Sequence, residues 1–136
     1  MTRPRILVTR RWPLAVEAQM ARDYDLVLNT SDKPLGETDL RDAMGQYDAI
    51  LPTATDRLPA AVFDRASPRT RILANYGVGF AHIDCEAAKS RGIAVTNTPD
   101  VLSECTADIA MTLMLMVARR AGEGERELQS LGHPLL

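Results

Sequence analysis

Short aliphatic runs alternate along this chain with stretches whose apolar residues recur every three or four positions. Ile6-Leu7-Val8-Thr9 is the first run, closed by Arg10-Arg11 and Trp12-Pro13. It reads as a buried strand followed by a helix, with Pro13 at an N-terminal helix position where its missing N–H costs nothing. Leu14, Ala18 and Ala21, with Val16 and Met20 beside them, are expected to line the buried side of that helix. Asp25-Leu26-Val27-Leu28-Asn29 reads as a second strand, and Thr30 to Gly36, with Pro34, as a loop. Thr38 is the expected cap of a helix whose Leu40, Ala43, Met44 and Tyr47 share one face. Ala49-Ile50-Leu51 is the third strand, ended by Pro52. A short helix is expected from Leu58 to Phe63, broken by Ser67-Pro68-Arg69 before a fourth strand, Arg71-Ile72-Leu73-Ala74-Asn75. Asp84 can cap a helix running through Ala87 and Ala88 to Arg91, with Gly92 where a left-handed residue is wanted. Ile93-Ala94-Val95-Thr96 is the fifth strand. After the Asn97-Thr98-Pro99-Asp100 turn, the longest helix is expected from about Ser103 to Gln129.

Five apolar strands alternating with helices describe an α/β domain with a parallel sheet. The runs lack clean polar alternation, as strands covered on both faces should. The last helix is apolar nearly all round: Ile109, Leu113 and Met116 form one stripe, and Met111, Met114, Leu115 and Val117 fill much of the rest. Such a helix is expected to be buried on nearly all sides. One small sheet covers one side, so the other is expected to face a second domain, another subunit, or both.

Composition narrows the function classes. Lys plus Arg is 16 and Asp plus Glu is 18, for a net charge of -2, so no basic excess exists to neutralise nucleic-acid phosphates. With 46% apolar and 25% charged residues the 136-residue chain has the balance of one folded domain, and with 4% aromatics its core must be built from aliphatic residues and Met. Cys85 and Cys105 form neither a zinc set nor a CxxC pair and read as reduced thiols of a cytoplasmic protein. The run Ile6 to Thr9, flanked by charges, is too short for an export signal, and Ile109 to Ala118 is too short to cross a bilayer. Neither a membrane nor a nucleic acid is expected as a partner.

Parallel sheets open concavities beyond the C-terminal ends of their strands, here the loops Thr9 to Trp12, Leu51 to Asp56, Tyr76 to Phe80 and Asn97 to Leu102. Gly77 and Gly79 are expected to permit sharp backbone turns and leave N–H groups uncovered, which suits a carboxylate; a purely structural turn is the plain alternative. No GxGxxG and no GxxxxGK[ST] occurs. His82 and His133, the only histidines, have no ligand-spaced Cys or His and read as ordinary polar residues; only Asp84 or Glu86 stands near His82 to orient it as a base. Cys85, near a helix start, lacks any Cys-His or Ser-His-Asp order. Glu104 and Asp108 read as acidic residues favoured in a first helical turn.

The stretch ILANYGVGFAHIDCEAAKSRGIAVTNTPDVLSECTADIAMTLMLMVARR, residues 72 to 120, resembles the D-isomer-specific 2-hydroxyacid dehydrogenase family, nearest its glyoxylate and hydroxypyruvate reductase branch. RILVTRRWP and YDAILPTATDRLP extend the likeness over nearly the whole chain. The resemblance implies a flavodoxin-like, three-layer substrate-binding (catalytic) domain over residues 1–102, with a five-stranded parallel sheet in the order 2-1-3-4-5. Residues 103–136 would form a long interdomain and dimer helix with a tail. The family's Rossmann domain, which binds NAD(H) or NADP(H), is expected to lie outside this chain. Leu51 and Thr53 would border the substrate, Tyr76, Gly77, Val78 and Gly79 would hold the 2-oxoacid carboxylate, and Val78 and Thr106 would lie near the cofactor.

Three departures stand out. Asp100 replaces the usual glycine after Asn-Thr-Pro, and Ala81-His82 replaces the commoner Asp-Asn before Ile83-Asp84. Nothing here matches the family's proton-donating histidine, its orienting acid, its carboxylate-gripping arginine or its glycine-rich phosphate loop. No catalytic residue and no metal ligand is therefore assigned. The parent protein is expected to reduce small 2-oxoacids such as glyoxylate and hydroxypyruvate to D-2-hydroxyacids with NAD or NADP as cofactor, as a homodimer formed through the 103–129 helix. The chain by itself is expected to hold no cofactor and to be inactive. The competing readings are a non-catalytic flavodoxin-like binding module and a small stand-alone enzyme using Cys85 or His82.

Overall fold

The computed structural model describes residues 3–64 and 67–132; His133 lies outside them. The chain divides into two compact units, Met1–Pro99 and Asp100–Leu136. In the first, β1 (Arg5–Val8), β2 (Asp25–Leu28), β3 (Ala49–Leu51), β4 (Ile72–Ala74) and β5 (Ala94–Thr96) form one all-parallel sheet in the order β2-β1-β3-β4-β5, as expected. Alternation along each strand sorts side chains between two cores. Leu7, Ile50 and Leu73 point to one face, where they meet Leu40, Ala43, Met44, Val62, Phe63, Ile83 and Ala88. Ile6, Val8, Ala49 and Leu51 point to the other, against Trp12, Met20, Leu26, Leu28, Ile72 and Ala74.

The first helix, α1 (Leu14–Asp23), corrects the expected packing. Pro13 is its N-cap, one residue before the helix, and Leu14, Val16, Ala18 and Ala21 are all exposed. The inward side carries Glu17, the only buried residue of α1, and half-buried Met20 three positions on. Glu17 can be buried because its carboxylate is fully engaged: Oε1 accepts from Arg11 Nε at 3.0 Å and Trp12 N at 2.8 Å, and Oε2 from Arg11 Nη2 at 2.9 Å. These bonds hold its carboxyl below the ordinary range, chiefly through Arg11, with burial opposing.

In α2 (Glu37–Ala43) the cap is Gly36 and not Thr38; the Asp39 carboxylate accepts from the Gly36 N–H at 3.2 Å. Its expected face holds, with Leu40, Ala43 and Met44 buried and Tyr47 half-buried. The helix expected over 58–63 shrinks to a 3-10 turn, Ala60–Phe63, because Leu58 pairs instead with Ile83. In α3 (Cys85–Ser90), Asp84 Oδ1 caps the Ala87 N–H at 2.9 Å and Gly92 takes φ +70°, both as expected.

In the second unit the continuous helix expected from Ser103 to Gln129 is two: α4 (Ser103–Ala118) and α5 (Ala121–Ser130). The chain breaks at Arg120, whose φ is +52°, and restarts as its carbonyl accepts from Glu123 N and Gly124 N. The poor helix formers Gly122 and Gly124 follow this break directly. No residue of α4 is buried, and Ile109 and the apolar residues from Met111 to Val117 are between 43% and 78% exposed. Asp100 also takes a positive φ, +65°, so the backbone angle that favours glycine is present there despite the side chain. No helix among the described residues is long and apolar enough to cross a membrane.

Candidate functional site

Beyond the C-terminal ends of β1, β3, β4 and β5 the loops of the first unit are tied into one rim. Asp56, fully buried, accepts from Thr9 Oγ1 at 2.6 Å and from the Thr53 N–H at 2.8 Å through Oδ2, while its Oδ1 has no partner among the described residues. Thr53 forms an isolated bridge to Tyr76, the Tyr76 N–H donates to Pro52 O at 2.9 Å, and the Tyr76 ring lies 4.6 Å from that of Trp12. Leu51 ends β3 as a buried core residue, and its carbonyl accepts from Thr9.

The segment after β4 is organised by amide side chains. Asn75, buried, donates from Nδ2 to Gly77 O at 3.1 Å and to Gly79 O at 2.9 Å. Asn97 Nδ2 donates to Val78 O at 2.9 Å, and the Thr98 N–H to Gly77 O at 3.1 Å. Three successive carbonyls are thus turned onto protein donors. In a planar trans peptide the N–H of the next residue points opposite to the C=O, so the N–H groups of Val78, Gly79 and Phe80 face away from those donors. Among the described residues none of the three has an acceptor, and Val78, Gly79 and Phe80 are exposed. Uncovered consecutive amides of this kind suit an anion.

The expectation of uncovered amides is met at the glycine turn, without a special backbone angle. Neither Gly77 nor Gly79 has a positive φ; a Cβ at Gly77 would make only ordinary contacts and one at Gly79 would meet nothing within 4 Å. What they contribute is a bare surface over the amides, not a backbone angle.

His82 stands behind the turn, with Nε2 3.1 Å from Asn75 Oδ1. Burial pushes its pKa below the ordinary value, with the Asp56 carboxylate opposing. Neither Asp84, which caps α3, nor Glu86 orients it. Cys85 is a half-buried free thiol, and the exposed Cys105 donates weakly to Leu102 O. Among the described residues no group of acidic, Cys and His side chains could hold a metal ion. Thr106 belongs to the second unit, in the opening turns of α4, where its N–H donates to Leu102 O. Sequence reasoning passed over Asn75, Asp56 and Asn97 as site residues; the available signal was an amide directly after β4 and after β5, and for Asp56 an acid in the loop after β3.

Residues 6–127 match the model of a family described as D-isomer specific 2-hydroxyacid dehydrogenase, catalytic domain. The chain belongs to this family. A glycerate dehydrogenase of Hyphomicrobium methylovorum is 38% identical over 137 residues, and a glyoxylate reductase of Thermococcus kodakarensis is 38% identical over 128. These matches take in 98% and 94% of this chain but only 42% and 38% of those proteins, so the chain spans about two fifths of its relatives' length. Among solved structures, an NADPH-dependent glyoxylate/hydroxypyruvate reductase of Sinorhizobium meliloti, in complex with NADP and malonate, is similar with a TM-score of 0.71 and 31% identity, over 99% of this chain and 42% of that one. The place of this dehydrogenase-family turn in the sheet, at the end of β4, is the kind of crevice where α/β folds bind ligands.

Proposed function

We propose that this chain is the substrate-carboxylate half of an oxidoreductase that reduces small 2-oxoacids, of the glyoxylate and hydroxypyruvate class, to D-2-hydroxyacids with NAD or NADP. The observation that carries the reading is the row of uncovered N–H groups at Val78, Gly79 and Phe80, fixed by carbonyls that are already bonded on the far side. A carboxylate accepting from two such amides gains charge-assisted hydrogen bonds of about 1.5–3 kcal/mol each. Thr53 and Tyr76 are proposed to border the substrate, with Leu51 supporting their loop from the core. The malonate held in complex by the Sinorhizobium meliloti reductase, a small dicarboxylate, supports an anion of this size in the family.

The nicotinamide cofactor, when bound, supplies hydride. The residues of this chain do not fit its pyrophosphate, because the sequence has no GxGxxG turn opening a helix. What this chain does is bind and orient the acid. Val78 and Thr106 are each proposed to approach the cofactor, and the exposed apolar side chains of α4 support association into a homodimer through residues 103–129. Two free cysteines support a cytoplasmic setting.

Two measurements test this reading. Oxalate titrated into the 15N-labelled chain should move the amide resonances of Val78, Gly79 and Phe80 saturably. Residues 1–136 alone should leave NADH and NADPH absorbance unchanged with glyoxylate or hydroxypyruvate. Saturable cofactor oxidation by these residues, or oxalate shifts confined to other amides, would overturn it.

A further inference from the structure

We infer that Asn75 and His82 are positioning residues for the anion-binding turn: His82 fixes which way round the Asn75 amide sits, and Asn75 then holds the Gly77 and Gly79 carbonyls inward, with the Val78 and Phe80 N–H groups turned away from it. The inference rests on the carboxylate reading above and deepens it.

The logic is one of donors and acceptors. A primary amide offers two N–H donors on one side and a carbonyl oxygen on the other. Both Gly77 O and Gly79 O can only accept, so the atom between them, at 3.1 and 2.9 Å, must be the NH2 group. The Asn75 oxygen then faces His82 Nε2 at 3.1 Å and must receive a proton donor there. His82 therefore carries its hydrogen on Nε2, a tautomer that the network requires. Were Nε2 bare, two acceptors would face each other, and the amide would rotate and set its oxygen against the Gly77 and Gly79 carbonyls. Gly77 O keeps a second donor in the Thr98 N–H, but among the described residues the Gly79 carbonyl has only Asn75. Since the Gly79 carbonyl and the Phe80 N–H share one peptide plane, losing the Asn75 donor frees that plane to rotate, and the Phe80 N–H falls out of line with the Val78 and Gly79 amides, whose planes keep the Thr98 and Asn97 donors. Asn75 is 3% exposed, so water does not readily replace the missing bond.

The test uses the 15N-labelled chain with oxalate as probe. In the wild type, long-range 1H–15N spectra at neutral pH should show His82 protonated at Nε2 and bare at Nδ1. Oxalate should shift the Val78, Gly79 and Phe80 amides. Asn75→Asp, which replaces the double donor with acceptors, should raise the oxalate Kd about tenfold or more, the equivalent of one lost charge-assisted hydrogen bond. His82→Phe should weaken binding in the same direction, and His82→Gln, which retains an N–H donor, should recover most of the affinity. If Asn75→Asp does not fold, the His82 pair and the wild-type tautomer decide the matter. A bare Nε2 in the wild type, or equal oxalate affinity in His82→Phe and His82→Gln, overturns the inference while leaving the carboxylate reading intact. If oxalate moves none of the three wild-type amides, the carboxylate reading fails and the inference falls with it.

Discussion

Glu17 offers the sharpest quantitative test of how the first unit is held together. It is 5% exposed, and its two oxygens take three hydrogen bonds, a bidentate pair from Arg11 and one from the Trp12 N–H. In Glu17→Gln one oxygen becomes an NH2, which must face a donor of Arg11 or Trp12 in either orientation. At least one bond to a charged partner is lost and a donor is left opposed, a cost of about 1.5–3 kcal/mol. The Arg11 side chain is 40% exposed, so solvent screening places the Glu17 effect toward the lower end, about 2 kcal/mol. For a unit of this size that lowers Tm by roughly 10 °C. The effect also has a pH signature. The Glu17 carboxyl titrates below its ordinary value of 4.5 in the folded state, so its contribution is complete above that value and is lost as pH falls through the folded pKa. Urea unfolding followed by circular dichroism should show the full gap between wild type and Glu17→Gln at pH 7, narrowing steadily below about pH 4.5. A gap that is absent at pH 7, or unchanged on acidification, refutes the assignment of α1's anchoring to this ion pair.

Asp56→Ala removes the acceptor shared by the Thr9 hydroxyl and the Thr53 N–H; the hydroxyl can turn to Leu51 O, so the expected loss is about 2–3 kcal/mol in denaturant unfolding, with exchange broadening of Thr53 and Tyr76 resonances. The apolar α4 surface should make the chain self-associate at micromolar concentration in sedimentation equilibrium, and Leu115→Lys with Val117→Lys should return it to monomer; a wild type that is monomeric throughout that range counts against the dimer helix.

How much of this is legible in the sequence depends on what each feature rests on. The five strands are readable because each is an aliphatic run bounded by charge, Pro or Gly; β1 and β3 are buried on both faces as such a run implies, whereas Ala94 and Thr96 leave one face of the edge strand β5 exposed. Strand order is not readable from pattern, since hydrophobicity says nothing of which strand pairs with which; it comes with the family resemblance. The inward face of α1 is misassigned because apolar periodicity cannot see a buried carboxylate, and Glu17 is buried only through partners five and six residues away. The break at Arg120 overrides the periodicity of α4, although Gly122 and Gly124 stand in plain view. The Gly77 to Gly79 turn is legible as a place with uncovered amides, but its carbonyls are held by Asn75 and Asn97, which read in sequence only as the end of a strand and as an ordinary turn residue.

That division between glycine and asparagine has a chemical consequence. If the donors to the anion are backbone N–H groups, no side chain at 77, 78 or 79 is itself a ligand, and replacing Val78 leaves the donors in place. What the side chains there can alter is access: a Cβ at Gly79 meets no neighbouring atom, so it would stand free over the amides and not disturb the fold. Orientation of the donors belongs instead to residues that never touch the anion, above all Asn75, in the core behind the turn. On the proposed carboxylate reading, affinity for the carboxylate and selection among acids are thereby placed on separate residues. On that reading the first is set by Asn75 and His82 behind the turn and by Asn97, which holds the Val78 carbonyl at the surface, and the second falls to rim side chains such as Tyr76, packed on Trp12 and bridged to Thr53. A fold built this way can change the acid it accepts at the rim without rebuilding the dipoles that hold the carboxylate.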